Sequence, residues 1–166
     1  MTHHQPDQLP YRLCAGIVLF NGEGNVFVGK RVDQADAAWQ LPQGGIERNE
    51  APRAAALREL AEETGAQSVT ILAESSEWLT YDLPYELAGK VWNGKYRGQK
   101  QKWFAMQFTG DEGEINPANV QHPEFSTWRW VPLNDLPQLA VPFKRHIYET
   151  ISAEFAILAA EVKDTS

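Results

Sequence analysis

One helix with a marked beginning and a marked end lies in the middle of the sequence. From Ala51 to Glu63, apolar residues recur at the spacing of a helical face. Pro52 is tolerated in the first turn of such a helix, and Gly65 suits the position just past its end. Gly44-Gly45, a few residues upstream, predicts a loop that turns with φ above zero and whose backbone amides a ligand can approach closely. The fold must therefore place this helix beside a glycine loop.

Short apolar runs on both sides of the helix predict a mixed β-sheet. Tyr11 to Phe20 and Asn25 to Arg31 are joined by Asn21-Gly22-Glu23-Gly24, which favours a hairpin. Four further strands are predicted, at Ser68 to Glu74, Glu77 to Leu83, Lys102 to Phe108 and Ser126 to Val131. Phe143 to Ala160 repeats apolar residues every three or four positions and predicts an amphipathic closing helix. The longest irregular connection is Pro84 to Gln99.

No repeat, linker or change of composition divides the 166 residues. We therefore expect one α+β domain, residues 1–166, in which helices cover both faces of a mixed sheet. Its ordered core should run from about residue 11 to residue 161, with frayed ends at Met1 to Pro10 and Lys163 to Ser166. No apolar run approaches the roughly 18 residues of a membrane span, and the opening residues lack the apolar segment of a secretory signal. We expect a cytoplasmic protein, with its one cysteine, Cys14, in the core.

Three glutamates of the central helix carry the chemistry. Glu59, Glu62 and Glu63 have the spacing i, i+3 and i+4, so their carboxylates share one helical face. Each pair of like charges costs an isolated helix about 0.2–0.5 kcal/mol, which a hard divalent cation can offset. The alternative, a solvated acidic face, is common for an isolated E-x-x-E-E pattern. We predict that these residues bind Mg²⁺, with Mn²⁺ able to substitute.

The segment from Gly44 to Ala66 resembles the Nudix box, G-x5-E-x7-R-E-U-x-E-E-x-G-U. It departs from that pattern only at Ala66, where the box has a larger aliphatic residue. The resemblance implies the Nudix fold and hydrolysis of a diphosphate linkage. It also implies a structural role for the other box residues, which are Gly44, Gly45, Glu50, Arg58 and Gly65.

Hydrolysis also needs a base that takes the proton of the attacking water. The Nudix resemblance leaves two kinds of candidate: a glutamate of the helix itself, or a later glutamate, which here is Glu124. The predicted catalytic and metal-binding set is therefore Glu59, Glu62, Glu63 and Glu124.

The regions flanking the box are similar to the bacterial RNA pyrophosphohydrolase and dinucleoside polyphosphate hydrolase branch of the Nudix family. The similarity extends from about Tyr11 to Phe155. The segments that carry it are Trp39 to Gly45, Gly98 to Phe104, Pro123 to Phe125, Trp128 to Val131 and Phe143 to Arg145. It implies a substrate that is a nucleoside bearing a polyphosphate.

Residues around the box are predicted to bind this substrate. They are Arg12, Arg31, Gln43, Gly44, Lys100, Lys102, Phe143 and Lys144. Lys100 and Lys102 lie in a strand-like stretch and are expected to pair with the phosphates distal to the cleavage point. By analogy with the branch, Arg31 and Phe143 sandwich a base. Packing in the core is an equal alternative for Phe143.

Three functions remain open. The first is an RNA 5′ pyrophosphohydrolase, which converts a 5′-triphosphate end to a monophosphate and so initiates mRNA decay; the second is a diadenosine tetraphosphate hydrolase. The third, a Nudix module that binds nucleotides without hydrolysis, would be expected to have lost box carboxylates, and here all are present. A net charge of −7 argues against a general nucleic-acid coat protein. We expect a monomer, and the sequence does not indicate whether an activator protein is needed.

Overall fold

Groups of consecutive strands are separated by helices along the described chain. The computed structural model describes residues 8–31 and 38–165. In these residues the strands are β1 (Tyr11–Phe20), β2 (Asn25–Arg31), β3 (Trp39–Gln40), β4 (Gln43–Gly45), β5 (Val69–Glu74), β6 (Leu79–Asp82), β7 (Gly98–Phe108) and β8 (Phe125–Pro132). The helices are α1 (Pro52–Thr64), α2 (Tyr85–Ala88), α3 (Leu136–Leu139) and α4 (Arg145–Thr165). All the strands belong to one sheet.

Strand β1 lies at the centre of this sheet. It pairs in parallel with β7 along its whole length, and antiparallel with β2 and β4. Pairing with β7 places Arg12 opposite Gln99, and pairing with β4 places Ala15 opposite Gly44. Gly44 and Gly45 thus belong to strand β4, so the loop predicted at these residues was wrong, and neither has a positive φ. The sheet brings this glycine pair and the start of β7 to one end of β1.

Helices cover both faces of the sheet. On one face, α1 packs Ala55, Ala56 and Leu60 into a core that includes Ile17 and Leu19 of β1. On the other face, α4 packs Ile147, Ile151 and Phe155 against Val18 and Phe20. Successive residues of a strand point to opposite faces, so β1 supplies both cores. The predicted α+β architecture is confirmed.

Two predicted boundaries lie four or more residues from the observed ones. Strand β7 begins at Gly98 rather than Lys102, because the buried polar side chains of Gln99 and Gln101 gave no apolar signal. Helix α4 continues to Thr165, so Lys163 is helical and not part of a frayed end; Val162 is only 3% exposed and holds this last turn on the core. Residues 1–7 and 166 of the ends predicted to fray lie outside the described residues.

Short elements were missed for lack of periodicity. Strands β3 and β4 have two and three residues, too few to show an alternating pattern. The connection predicted as irregular contains α2 and a turn at Val91–Gly94. Cys14 is buried as predicted, and burial raises the pKa of its thiol to about 11. Among the helices in residues 8–31 and 38–165, none has the length and apolar character needed to cross a membrane.

Candidate active site

A cleft of about 970 Å³ lies between α1, the central strands and the turn that precedes α4. It is lined by four carboxylates, which are Glu59, Glu62, Glu63 and Glu124. It is also lined by three cations, which are Arg12, Arg31 and Lys144, and by Gln43, Gly44 and Phe143. The fold thus brings the predicted acidic residues and most of the predicted substrate-binding residues to one cavity.

The side chain of Arg58 ties strand β4 to α1. Its Nε and Nη2 donate to the two carboxylate oxygens of Glu50 at 2.8 Å, and Nη2 also donates to the Gly45 carbonyl at 2.9 Å. Its Nη1 donates to Glu59 at 2.7 Å. This bidentate pairing lowers the pKa of Glu50 to about 2. The structural role predicted for Glu50 and Arg58 agrees with these contacts.

Glu63 is held by strand β4. The residue is 5% exposed, and its Oε2 accepts a hydrogen bond from the Gln43 amide at 3.0 Å. Two residues earlier, the Leu41 amide donates to the Tyr148 hydroxyl of α4 at 3.0 Å. The closing helix therefore fixes the backbone that positions Glu63.

Gly44 is required by the close approach of α1. A Cβ at this position would overlap the Glu59 carboxylate. Strand β4 can pass beside this glutamate only because residue 44 has no side chain. Gly65, by contrast, is required by conformation: it ends α1 at φ 86°, and its amide donates to the Ala61 carbonyl.

The carboxylates of the cleft repel one another. Burial raises the pKa of Glu63 well above its usual range, and the nearby charges of Glu124 and Glu59 raise it further. Burial also raises the pKa of Glu59, against the lowering effect of Arg58. The charges at Glu62 and Glu124 add to that rise. A positive charge placed among these groups would relieve their repulsion.

The donor set of the cleft fits a hard divalent cation, because such ions prefer carboxylate oxygens. The side chains themselves are engaged with protein donors: Glu59 with Arg58, Glu63 with the Gln43 amide, and Glu124 with Arg31 at 3.4 Å. Within the described ranges, no three carboxylate, imidazole or thiol groups are gathered closely enough to enclose an ion. The four predicted metal ligands therefore line one cleft, but no three of them converge on a common point.

Two predicted substrate-binding residues are not in the cleft. Lys100 and Lys102 are absent from its lining, and the Lys100 ammonium lies 5.9 Å from the centre of the Trp78 ring. Alternation along β7 puts Gln99 and Gln101 on the opposite face from these lysines, and Gln99 is the residue that lines the cleft. The period of two was read correctly, and the structure places Gln99 rather than the two lysines at the cleft.

The sequence analysis missed Tyr81 and Gln99. Both line the cleft, and both are almost fully buried. Tyr81 packs against Phe143 with ring centroids 5.6 Å apart, so Phe143 both lines the cleft and contacts the core. Register with Arg12 in a correctly paired sheet was the signal that could have identified them.

Comparison with known proteins places these observations in a family. A model described as NUDIX domain matches residues 10–151, a range that includes every residue that lines the cleft. The chain belongs to the Nudix family. Nudix hydrolases generally use divalent metal ions, in agreement with the carboxylate donors of the cleft.

Two curated Nudix relatives match almost the entire chain. A protein of Roseobacter denitrificans named RNA pyrophosphohydrolase is 55% identical over 157 residues, covering 93% of this chain and 98% of that protein. A protein of Bradyrhizobium sp. (strain ORS 278) with the same name is 52% identical over 171 residues, covering 96% and 99%. A solved structure of a C. elegans Ap4A hydrolase matches with a TM-score of 0.60 and 22% identity, covering 87% of this chain and 98% of that one. The last comparison shows a shared Nudix fold.

Proposed function

We propose that this chain is an RNA 5′ pyrophosphohydrolase, which hydrolyses the triphosphate end of RNA to a monophosphate, releases pyrophosphate and thereby initiates mRNA decay. The observation that carries the proposal is the meeting of the α1 glutamates with Arg12, Arg31 and Lys144 in one cleft. An anionic polyphosphate needs both sets, since the cations bind phosphate oxygens and the carboxylates hold a metal ion. We further propose that the protein acts as a monomer, because one chain supplies all of these residues, and that it acts in the cytoplasm, where its proposed mRNA substrate is found.

The proposed cofactor is Mg²⁺, with Mn²⁺ able to substitute. The residues that would hold it are Glu59, Glu62, Glu63 and Glu124. When bound, such an ion neutralises phosphate charge and lowers the pKa of coordinated water. Arg58 keeps Glu59 beside Gly44 of strand β4, and the Gln43 amide keeps Glu63 in its buried position.

The proton of the attacking water must pass to a carboxylate of this set. Glu63 is almost fully buried and already accepts the Gln43 amide. The Glu124 side chain is 43% exposed and enters the cleft from the loop before β8, beside Arg31. We therefore assign the general base to Glu124 in preference to a helix glutamate.

The basic residues and Phe143 would bind the nucleotide end. Lys144 lies beside Phe143 and Tyr81, with its ammonium 5.3 Å from the centre of the Tyr81 ring. Arg31 and Phe143 both line the cleft, and a guanidinium plane and an aromatic ring are surfaces on which an unpaired base stacks. The RNA reading is favoured over Ap4A because the relatives at 55% and 52% identity are named RNA pyrophosphohydrolase, whereas the Ap4A hydrolase is similar in fold.

The proposed function is tested by comparing kcat/KM on a 5′-triphosphorylated RNA oligomer and on Ap4A, each with Mg²⁺ and with Mn²⁺. We expect kcat/KM to be at least about tenfold higher on RNA, a difference of about 1.4 kcal/mol in transition-state stabilisation. RNA ends that remain intact with either metal would refute the proposal. A preference for Ap4A would support the second candidate.

Substrate binding should weaken at alkaline pH because of Lys144. Burial, followed by the charge of Arg31, lowers the pKa of this ammonium from 10.5 to about 8. The cation is therefore present below pH 8 and is lost as the pH rises through 8, so kcat/KM should fall above that pH. Lys144→Arg keeps its charge throughout this range and should remove the alkaline limb. An unchanged pH profile in this variant would show that another group causes the fall.

A further inference from the structure

Three buried side chains on one face of β7 form a hydrogen-bonded chain. The Trp103 indole donates through Nε1 to Gln101 Oε1 at 3.0 Å, and Gln101 donates through Nε2 to Gln99 Oε1 at 2.7 Å. The three residues are 1–2% exposed. Only Gln99 among them lines the cleft. This series of hydrogen bonds therefore runs from Trp103 in the core to Gln99 at the cleft.

The donor and the acceptor of each of these hydrogen bonds can be assigned in only one way. An indole nitrogen is a donor and cannot accept, so the Gln101 atom facing it must be the carbonyl oxygen. The amide nitrogen of Gln101 then faces Gln99, whose facing atom must in turn be an oxygen. Because the Gln99 oxygen accepts this hydrogen bond, its NH₂ group is the part of the amide that can donate into the cleft.

The neighbours of Gln99 in the sheet are also donors. Arg12 of β1 and Tyr81 of β6 are its register partners, and both line the cleft. A guanidinium can only donate, and burial raises the pKa of the Tyr81 phenol, so its hydroxyl keeps a proton to donate. The three side chains form a donor row across adjacent strands. Such a row suits a ligand rich in acceptor oxygens.

We infer that Trp103 and Gln101 are positioning residues, which hold the Gln99 amide with its N–H groups toward the phosphate oxygens of the substrate. The inference rests on the proposed function, since it assigns a phosphate chain to the cleft. A glutamine at residue 99 without this support could turn its carbonyl oxygen to an anion and repel it. The orientation of the Gln99 amide is thus set by Gln101, which lies two positions further along β7 and does not line the cleft.

The test is a double-mutant cycle on the equilibrium binding of inorganic tripolyphosphate. Gln99→Met should weaken binding by roughly tenfold, the usual effect of losing a hydrogen bond to a charged acceptor. Gln101→Met should weaken it nearly as much, although residue 101 does not line the cleft. Adding Gln101→Met to Gln99→Met should cause no further loss, because the amide to be oriented is already absent. Binding is measured without turnover, so the result tests the role of Gln101 even if the protein does not hydrolyse RNA ends.

Gln107→Met is the matched control, since Gln107 is on β7 but is not a lining residue, and its variant should bind as the wild type does. Wild-type affinity in Gln101→Met, or an equal further loss in the Gln99→Met background, would overturn the inference. If Gln101→Met does not fold, nitrogen-15 spectra of the wild-type protein decide. The Gln99 side-chain NH₂ signals should shift with tripolyphosphate and those of Gln107 should not; an unmoved Gln99 signal would also overturn the inference.

Discussion

Glu63→Gln should lower kcat by about three powers of ten or more while leaving the fold intact. The amide has the size of the carboxylate and keeps an oxygen that can accept the Gln43 backbone N–H. What is lost is a negative charge at the proposed metal site. The measurement is single-turnover hydrolysis of triphosphorylated RNA over a range of Mg²⁺ concentrations, together with Tm in the absence of metal.

The same substitution should not lower the Tm of the metal-free protein. Glu63 is buried close to the charges of Glu124 and Glu59, so a neutral amide removes both a desolvation penalty and a repulsion. Glu149→Gln, on the exposed surface of α4, is the matched control and should change neither activity nor Tm. Full activity in Glu63→Gln would refute the metal assignment, and a large fall in Tm would show that its role is structural.

Gly44→Ala should lower kcat by about a hundredfold, the scale of loss expected when a reacting group is displaced by about an ångström. The added methyl group would occupy the space of the Glu59 carboxylate, so either the glutamate or strand β4 must move. Both are fixed by Arg58, which bonds Glu59 and the Gly45 carbonyl at the same time. The methyl group therefore meets a site that has little freedom to adapt.

Gly113→Ala is the control for this change, because a Cβ at Gly113 would meet nothing within 4 Å. It should leave kcat and Tm unchanged. The Gly44→Ala protein should remain folded, as judged by circular dichroism, since the collision involves one side chain at the edge of a cleft. Wild-type kcat in Gly44→Ala would mean that Glu59 does not need its observed position.

Much of the site could be predicted because its chemistry is local in sequence. Glu59, Glu62 and Glu63 share a helical face by spacing alone, and Gly65 marks the end of that helix. The structure confirms the helix as α1 and places all three glutamates at the cleft. Their roles as metal ligands remain predictions, as does the role of Glu124.

The rest depended on long-range pairing, which the sequence did not supply. Alternation in β7 separates Lys100 from Gln99, but only the register with Arg12 and Tyr81 tells which face meets the cleft. The link from Tyr148 to Leu41 joins two elements more than a hundred residues apart, and no local pattern predicts it. Charge favoured the lysines as phosphate ligands, yet the fold presents a neutral amide instead.

The parallel pairing of β1 with β7 has a consequence for the time course of folding. The entire helix α1 and strand β4 lie between these two strands in the chain. Closing so long a loop before its contacts form is entropically unfavourable, and chains dominated by such contacts fold slowly. During synthesis, β1 therefore leaves the ribosome long before its central partner exists. The donor row of Arg12, Gln99 and Tyr81 can form only after β7 has been synthesised. Activity should therefore appear late and abruptly during the synthesis and folding of each chain.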